Sequence, residues 1–166
     1  MSRSFACILV VLLAACGDGS PAQPSSPEAV LAQTVSLEGE AGSGDGHVVQ
    51  RSGASSGGTI HLGPGERRQW TFSLTAREVQ YALLVTYSNG HFGDSEVISV
   101  AIDGIAVGSF QARDTGGDDD EGWNVFVTDS PGAARLRSGS HTLVLEVRGG
   151  DGCVEIDVVR LSPPSA

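Results

Sequence analysis

The chain has 166 residues and a net charge of −10 at pH 7, because 20 acidic residues stand against 10 arginines and no lysine. A negative field of this size repels nucleic acid and anionic lipid headgroups, so binding to either is excluded as a main function. The length suits one hydrophobic core, and the 23 glycines fit many tight turns.

Residues 1–15 have the layout of an export signal: an early Arg3 and then an apolar run that ends in small residues. The run is about half the ~20 residues needed to span a bilayer. The junction Leu13-Ala14-Ala15-Cys16 resembles a bacterial lipobox. The resemblance implies that Cys16 is acylated and becomes the first residue of a lipoprotein in the cell envelope, and Gly17 is compatible with sorting to the outer membrane. The alternative is an ordinary signal peptide with an incidental cysteine.

Residues 16–33 follow as the lipid anchor and a tether rich in Pro, Ser, Gly and Ala. Such a segment buries too little surface to fold, and its prolines keep it extended. The folded domain is predicted over 34–162, with a short tail at 163–166. Only Cys153 lies in the domain, so no disulfide within it is expected.

The domain alternates apolar and polar residues with a period of two, which is typical of half-buried strands. The pattern is clearest around Trp70, Tyr81, Ile98 and Leu143. Turn signals separate these runs, and the Asp103-Gly104 pair suits a two-residue hairpin turn because both residue types tolerate positive φ. About eight short strands of this kind predict an all-β fold, a β-sandwich or jelly roll.

Several segments, in order along the chain, resemble carbohydrate-binding modules of families 6 and 35. They are VSLEGEAG, QWTFSL, YALLVTYSNG, VISVAIDG, RLRSGSHTLVLEV and VEIDVVRL. Together they extend over nearly all of 34–162. The resemblance implies a galactose-binding-like jelly roll that binds polysaccharide or another glycan and has no catalytic activity.

A structural Ca²⁺ site is expected from Glu38, Glu40 and Asp157. The two glutamates stand two apart in a strand and therefore share a face. Asp157 has apolar neighbours on its own strand face, where an unpaired carboxylate would be costly. Ca²⁺ accepts carboxylate oxygens and would remove that cost. The alternative is that these are exposed carboxylates at strand ends.

The resemblance places the sugar-binding site at Trp123 and Asn124, with Tyr87, Asn89 and Glu155 as further contacts. A flat indole suits the apolar face of a pyranose. Trp123 could instead pack beneath its loop. Two departures from the family weaken the site: Glu155 stands where these modules often carry Asn, and an aromatic residue expected near 59–62 is missing.

Catalytic motifs are lacking in the sequence. The four histidines fall in separate segments without metal-ligand spacing, and His61 is interpreted as a surface or turn residue. The acidic loop 114–121 lacks EF-hand spacing and is either solvated or a second calcium site. The sequence therefore predicts a non-catalytic glycan-binding module, with a structural or protein-interaction domain as the alternative.

Overall fold

A computed structural model describes residues 32–90, 96–116, 121–150 and 152–164. The predicted signal peptide, Cys16, nearly all of the tether and the centre of the acidic loop lie outside this range. The described residues form eleven strands and one 3₁₀ turn. These are β1 (Val35–Glu38), β2 (Ser43–Gly44), β3 (His47–Gln50), β4 (Gly58–Leu62), β5 (Arg67–Leu74), β6 (Val79–Ser88), β7 (Val97–Ile102), β8 (Ile105–Gln111), the turn η1 (Gly122–Asn124), β9 (Val127–Leu136), β10 (Gly139–Arg148) and β11 (Val154–Ser162). No helix in the described ranges is long and apolar enough to cross a membrane.

The strands form two antiparallel sheets that pack face to face. One sheet has the order β3-β4-β11-β6-β9, and β1 also pairs with β11. The other sheet has the order β2-β5-β10-β7-β8. The prediction of an all-β sandwich is confirmed, although the sequence pattern indicated about eight strands. That pattern identified no strand at β2, β3, β4 or β9, and β2, with two exposed residues, is too short to show alternation.

The period-two pattern explains which residues form the core. In β5 the residues Trp70, Phe72 and Leu74 are buried, while the residues between them are exposed. Strands β6, β7 and β10 bury alternate residues in the same way. Because the two sheets turn these faces toward each other, apolar side chains fill the space between them and water is excluded.

The predicted hairpin turn at Asp103-Gly104 is confirmed between β7 and β8. Both residues have positive φ, 52° and 77°. The Asp103 carboxylate accepts hydrogen bonds from the Thr142 backbone N–H at 2.8 Å and from the His141 ring at 2.7 Å. These bonds tie the turn to β10.

The six-stranded sheet has two ends, which differ in the strands that begin there. At the end we call the Val154 end, β11 begins opposite the last residues of β4 and β6, since Val154 pairs with Leu62 and Glu155 with Ser88. At the other, the Val35 end, β1 begins opposite the last part of β11, with Val35 paired to Leu161.

Candidate functional site

Trp123 and Asn124 lie on the 3₁₀ turn η1, close to the Val154 end of the six-stranded sheet. The Trp123 side chain is half-buried and Asn124 is exposed. Gly90 packs directly against the turn, and a Cβ at this position would lie 2.8 Å from the Trp123 backbone nitrogen. Asn124 also accepts a hydrogen bond from Ser52, at 3.2 Å. The turn is therefore held from two sides, and the indole is left partly open to solvent.

Two side chains that the sequence did not assign to the site contact Trp123. The ring of His61 lies 5.6 Å from the indole ring between centroids, with the planes tilted by 47°. The guanidinium of Arg51 lies over the indole at 5.7 Å from its centroid, within the range of a cation–π contact. His61 also lies 4.8 Å from the ring of His47 on the neighbouring strand. We call Trp123, His61, His47 and Arg51 the Trp123 cluster.

Glu155 is fully buried beneath this cluster. Arg51 donates two hydrogen bonds to its carboxylate, at 2.6 and 2.8 Å. The Thr59 hydroxyl donates to it at 2.9 Å, and the His61 ring nitrogen Nδ1 lies 3.4 Å away. Burial raises the pKa of this carboxyl, but the hydrogen bonds from Arg51, His61 and Thr59 outweigh burial and hold the pKa at about 2. Glu155 is thus ionised and already bonded.

This arrangement corrects the expected role of Glu155. It was predicted to accept hydroxyl protons from a sugar, but its carboxylate is inaccessible and engaged by three protein side chains. Its role in the structure is to position Arg51 and His61 next to Trp123.

Tyr87 and Asn89 do not line the surface of the site, contrary to the prediction. Both are fully buried. The Tyr87 hydroxyl donates to Asp129 at 2.8 Å and accepts from the Arg113 backbone N–H at 2.8 Å. The Asn89 amide donates to Glu96 at 3.1 Å. Because the alternation of β6 turns Tyr87 inward with the rest of the core face, it cannot reach a ligand on the outer face.

The residues of the predicted calcium site lie close together around two serines. The Ser55 hydroxyl is 2.6 Å from a Glu38 oxygen and 2.8 Å from an Asp157 oxygen. The Ser55 backbone N–H also donates to Asp157 at 2.8 Å, and the Ser56 hydroxyl donates to Glu40. One hydroxyl carries one proton, so Ser55 cannot donate to both Glu38 and Asp157 at once.

The fit of this site to a cation rests on Glu40. Its second carboxylate oxygen is buried and has no hydrogen-bond partner, which is an expensive state for a polar atom. The carboxylate oxygens also have the chemistry that Ca²⁺ prefers. As they stand, however, the described residues contain no group of three His, Cys, Asp or Glu side chains close enough to hold a metal. The serines occupy the space between the carboxylates.

Sequence reasoning missed Arg51 and His61 because their roles depend on distant pairings. Arg51 meets Glu155 across 104 positions in the chain, and His61 meets it across 94. The resemblance did indicate that an aromatic residue was expected near 59–62, and His61 supplies a ring in that stretch. The departure at position 155 is matched by Arg51, which neutralises the glutamate.

Comparison with family models of proteins and with curated proteins gave no match. Solved structures do match in fold. A family 35 carbohydrate-binding module from Clostridium thermocellum is 18% identical with a TM-score of 0.65, and the match covers 78% of this chain and 97% of the module. A family 35 module from an environmental isolate is 18% identical with a TM-score of 0.63, and the match covers 80% of this chain and 98% of the module. The C-terminal family 6 module of a marine laminarinase from Zobellia galactanivorans is 17% identical with a TM-score of 0.64. That match covers 78% of this chain and 99% of the module.

The chain also matches parts of larger enzymes. The match to a Podospora anserina β-(1,4)-mannanase that carries a family 35 module is 20% identical with a TM-score of 0.62, and it covers 80% of this chain but only 28% of the enzyme. The chain thus spans less than a third of that enzyme and nearly the whole of the isolated modules. The domain has the β-sandwich fold of carbohydrate-binding modules of families 6 and 35.

The depressed pKa of Glu155 predicts a specific dependence of stability on pH. The folded pKa of about 2 lies below the ordinary 4.5, so the carboxylate stabilises the fold above pH 4.5, and that contribution is lost as the pH falls toward 2. We expect Glu155→Gln to lower the free energy of unfolding at pH 7 by about 3 kcal/mol. The deficit relative to wild type should shrink between pH 4.5 and 2.

Urea unfolding followed by circular dichroism at several pH values measures this difference. Glu78→Gln is the matched control, because Glu78 is exposed and its ion pair with Arg135 is long, at 3.9 Å. We expect a change in the free energy of unfolding of about 0.5 kcal/mol or less. A constant deficit of Glu155→Gln across this pH range would contradict the prediction.

Proposed function

We propose that this protein is a non-catalytic, glycan-binding module. The observation that carries the proposal is the half-exposed Trp123, which lies beside His61 and Arg51 on a domain with the fold of carbohydrate-binding modules. An indole exposed on one face can stack on the apolar face of a pyranose at small entropic cost, because it has only two side-chain torsions. Arg51, His61 and Asn124 add polar groups around it, and these would hydrogen-bond sugar hydroxyls.

A structural or protein-interaction role is the second candidate. It is favoured by the contact between His61 and Trp123, since the two rings stand 5.6 Å apart and leave no room for a sugar between them. Arg51 also lies over the indole, at 5.7 Å from its centroid, so a sugar would stack only on the part of the ring that these two side chains leave open. A screen of the full chain against polysaccharides and a glycan array distinguishes the two roles, and the absence of any binding would favour the second.

Trp123→Ala tests the glycan site directly. We expect the variant to remain folded and to lose binding to whichever glycan the screen identifies, because a stacking contact contributes most of a weak affinity. Isothermal titration calorimetry gives the affinity, and thermal unfolding reports the fold. The control is Trp70→Ala, since Trp70 is only 4% exposed and donates to the Glu38 carbonyl at 2.7 Å.

The control should lose about 3–5 kcal/mol of stability, as expected for a core tryptophan. Retained affinity in a folded Trp123→Ala variant would remove the residue from the site. A loss of stability as large as that of the control would instead assign Trp123 to the core.

We also propose a structural Ca²⁺ held by Glu38, Glu40 and Asp157. It is supported by the buried, unpartnered oxygen of Glu40 and by the two carboxylates that share the single proton of Ser55. A divalent cation would neutralise three nearby negative charges that make no ion pair with another described residue. It would also fasten β1 and the loop that contains Ser55 to β11.

Calcium removal should therefore destabilise the wild-type protein. At a free Ca²⁺ concentration one hundred times the Kd, binding contributes about 2.7 kcal/mol to the free energy of unfolding. We expect EGTA to lower the Tm of wild type and of Glu78→Gln, and to leave the Tm of Asp157→Ala unchanged. Equal responses of wild type and Asp157→Ala to EGTA would argue against the site.

The first residues of the chain bear on the location of the protein. We propose that it is anchored in the cell envelope, at the outer membrane, by lipid on Cys16. The support is the Leu13-Ala14-Ala15-Cys16 junction after an apolar run too short to span a bilayer.

Cys16→Ser should produce a protein that is either unprocessed or free of the membrane. Mass spectrometry of the wild-type N-terminus should find acyl chains on Cys16, and fractionation should place the variant apart from wild type. A fully processed variant that partitions with membranes as wild type does would disprove the anchor.

A further inference from the structure

Two histidines from different strands, His47 and His61, lie side by side in the structure. His47 of β3 and His61 of β4 are direct partners in the antiparallel register. Their rings are 4.8 Å apart between centroids, with the planes tilted by 42°. The His47 side chain is exposed and makes no hydrogen bond or ion pair with another described residue, and the His61 side chain is partly exposed. The pair is thus reachable from solvent.

The orientation of the His61 ring suits a metal ligand. Its Nδ1 lies 3.4 Å from a Glu155 oxygen, and the other ring nitrogen, Nε2, is on the opposite side of the ring. When Nδ1 carries the proton and points to the carboxylate, Nε2 presents a lone pair. A histidine that binds a metal usually has its second nitrogen bonded to a carboxylate in this way, which fixes the tautomer and makes the ligand more basic.

The separation of the two rings also matches joint coordination. With a metal–nitrogen distance of 2.0–2.1 Å, a ring centroid lies about 3.2 Å from the ion, so two imidazoles at 90–109° stand about 4.5–5.2 Å apart. The observed 4.8 Å falls within that interval. The net charge of −10 further favours the approach of a cation.

We propose that His47 and His61 bind a divalent late-transition-metal ion, of the class of Ni²⁺, Cu²⁺ and Zn²⁺, which imidazole ligands favour. Within the part of the chain that the structure describes, no third His, Cys, Asp or Glu side chain completes the set. The remaining coordination positions are therefore open to water or to oxygen atoms of a bound molecule. The site lies next to Trp123 and is distinct from the carboxylate site of Glu38, Glu40 and Asp157.

Ni²⁺ alone, added to the full chain, tests the site without any glycan. We expect saturable binding of one ion by calorimetry, accompanied by quenching of tryptophan fluorescence because Trp123 is close to His61. His47→Gln is the informative variant, since the His47 side chain is exposed and makes no hydrogen bond with another described residue. It should weaken Ni²⁺ binding at least tenfold. His61→Gln should do the same.

Three further variants serve as controls. His141→Gln should bind like wild type, because His141 bonds to Asp103 at the Val35 end of the sandwich. His91→Gln, at a position outside the described residues, should also bind like wild type. Trp123→Phe should keep the affinity but lose most of the quenching.

The proposal is overturned if no ion binds at millimolar Ni²⁺, or if His47→Gln and His61→Gln retain the wild-type affinity. It is also overturned if only His91→Gln loses binding. Thermal unfolding of each variant without metal confirms that a lost affinity does not reflect a lost fold. Failure to bind Ni²⁺ would leave the glycan proposal standing, since that proposal is tested with Trp123→Ala in buffer without added Ni²⁺.

Discussion

The bidentate pair between Arg51 and Glu155 is the interaction on which the site depends. A buried carboxylate without partners would be strongly disfavoured, and the two hydrogen bonds from Arg51 make the ionised form acceptable. A buried pair of this kind contributes little net stability compared with apolar residues of the same size, but removing one partner is costly. Its main effect here is geometric, because it fixes the loop that begins at Arg51 against the strand β11.

Strand β11 connects the two sites of the outer face. Glu155 and Asp157 stand two apart on it, one beneath the Trp123 cluster and the other at the Ser55 hydroxyl. The register of β11 with β6 shifts between Ile156 and Val158, so a bulge separates the two carboxylates. The loop that begins at Arg51 reaches both residues, through Arg51 at one and Ser55 at the other. The two carboxylates are therefore bonded to the same loop.

The fold could be predicted largely because its strands are amphipathic. Alternation marks β5, β6, β7 and β10, and the Asp-Gly pair marks the hairpin at 103–104 by the conformations that it tolerates. The same alternation places Tyr87 with Tyr81 on the inward face of β6. Its assignment to the ligand site followed the resemblance instead, and the burial pattern of the strand contradicts it.

The site could be predicted only in part, because its partners are set by pairings between distant strands. Trp123 could be assigned from the resemblance, and it is one of two tryptophans in the sequence. Nothing local in the sequence couples Arg51 or His61 to Glu155, since those contacts depend on which strands are neighbours and in what register. Sequence spacing rules for metal ligands assume one helix or one loop. They therefore do not identify a histidine pair such as His47 and His61, which lies on two strands.

The positions of the two sheet ends give the domain a direction. The described chain enters at the Val35 end, whereas the Trp123 cluster lies at the Val154 end. Glu155 and Leu161, the partner of Val35, are six residues apart on β11, which corresponds to roughly 20 Å at about 3.3 Å per residue. If the N-terminal side is anchored as proposed, the indole would lie at the end of the domain that is farther from the anchor.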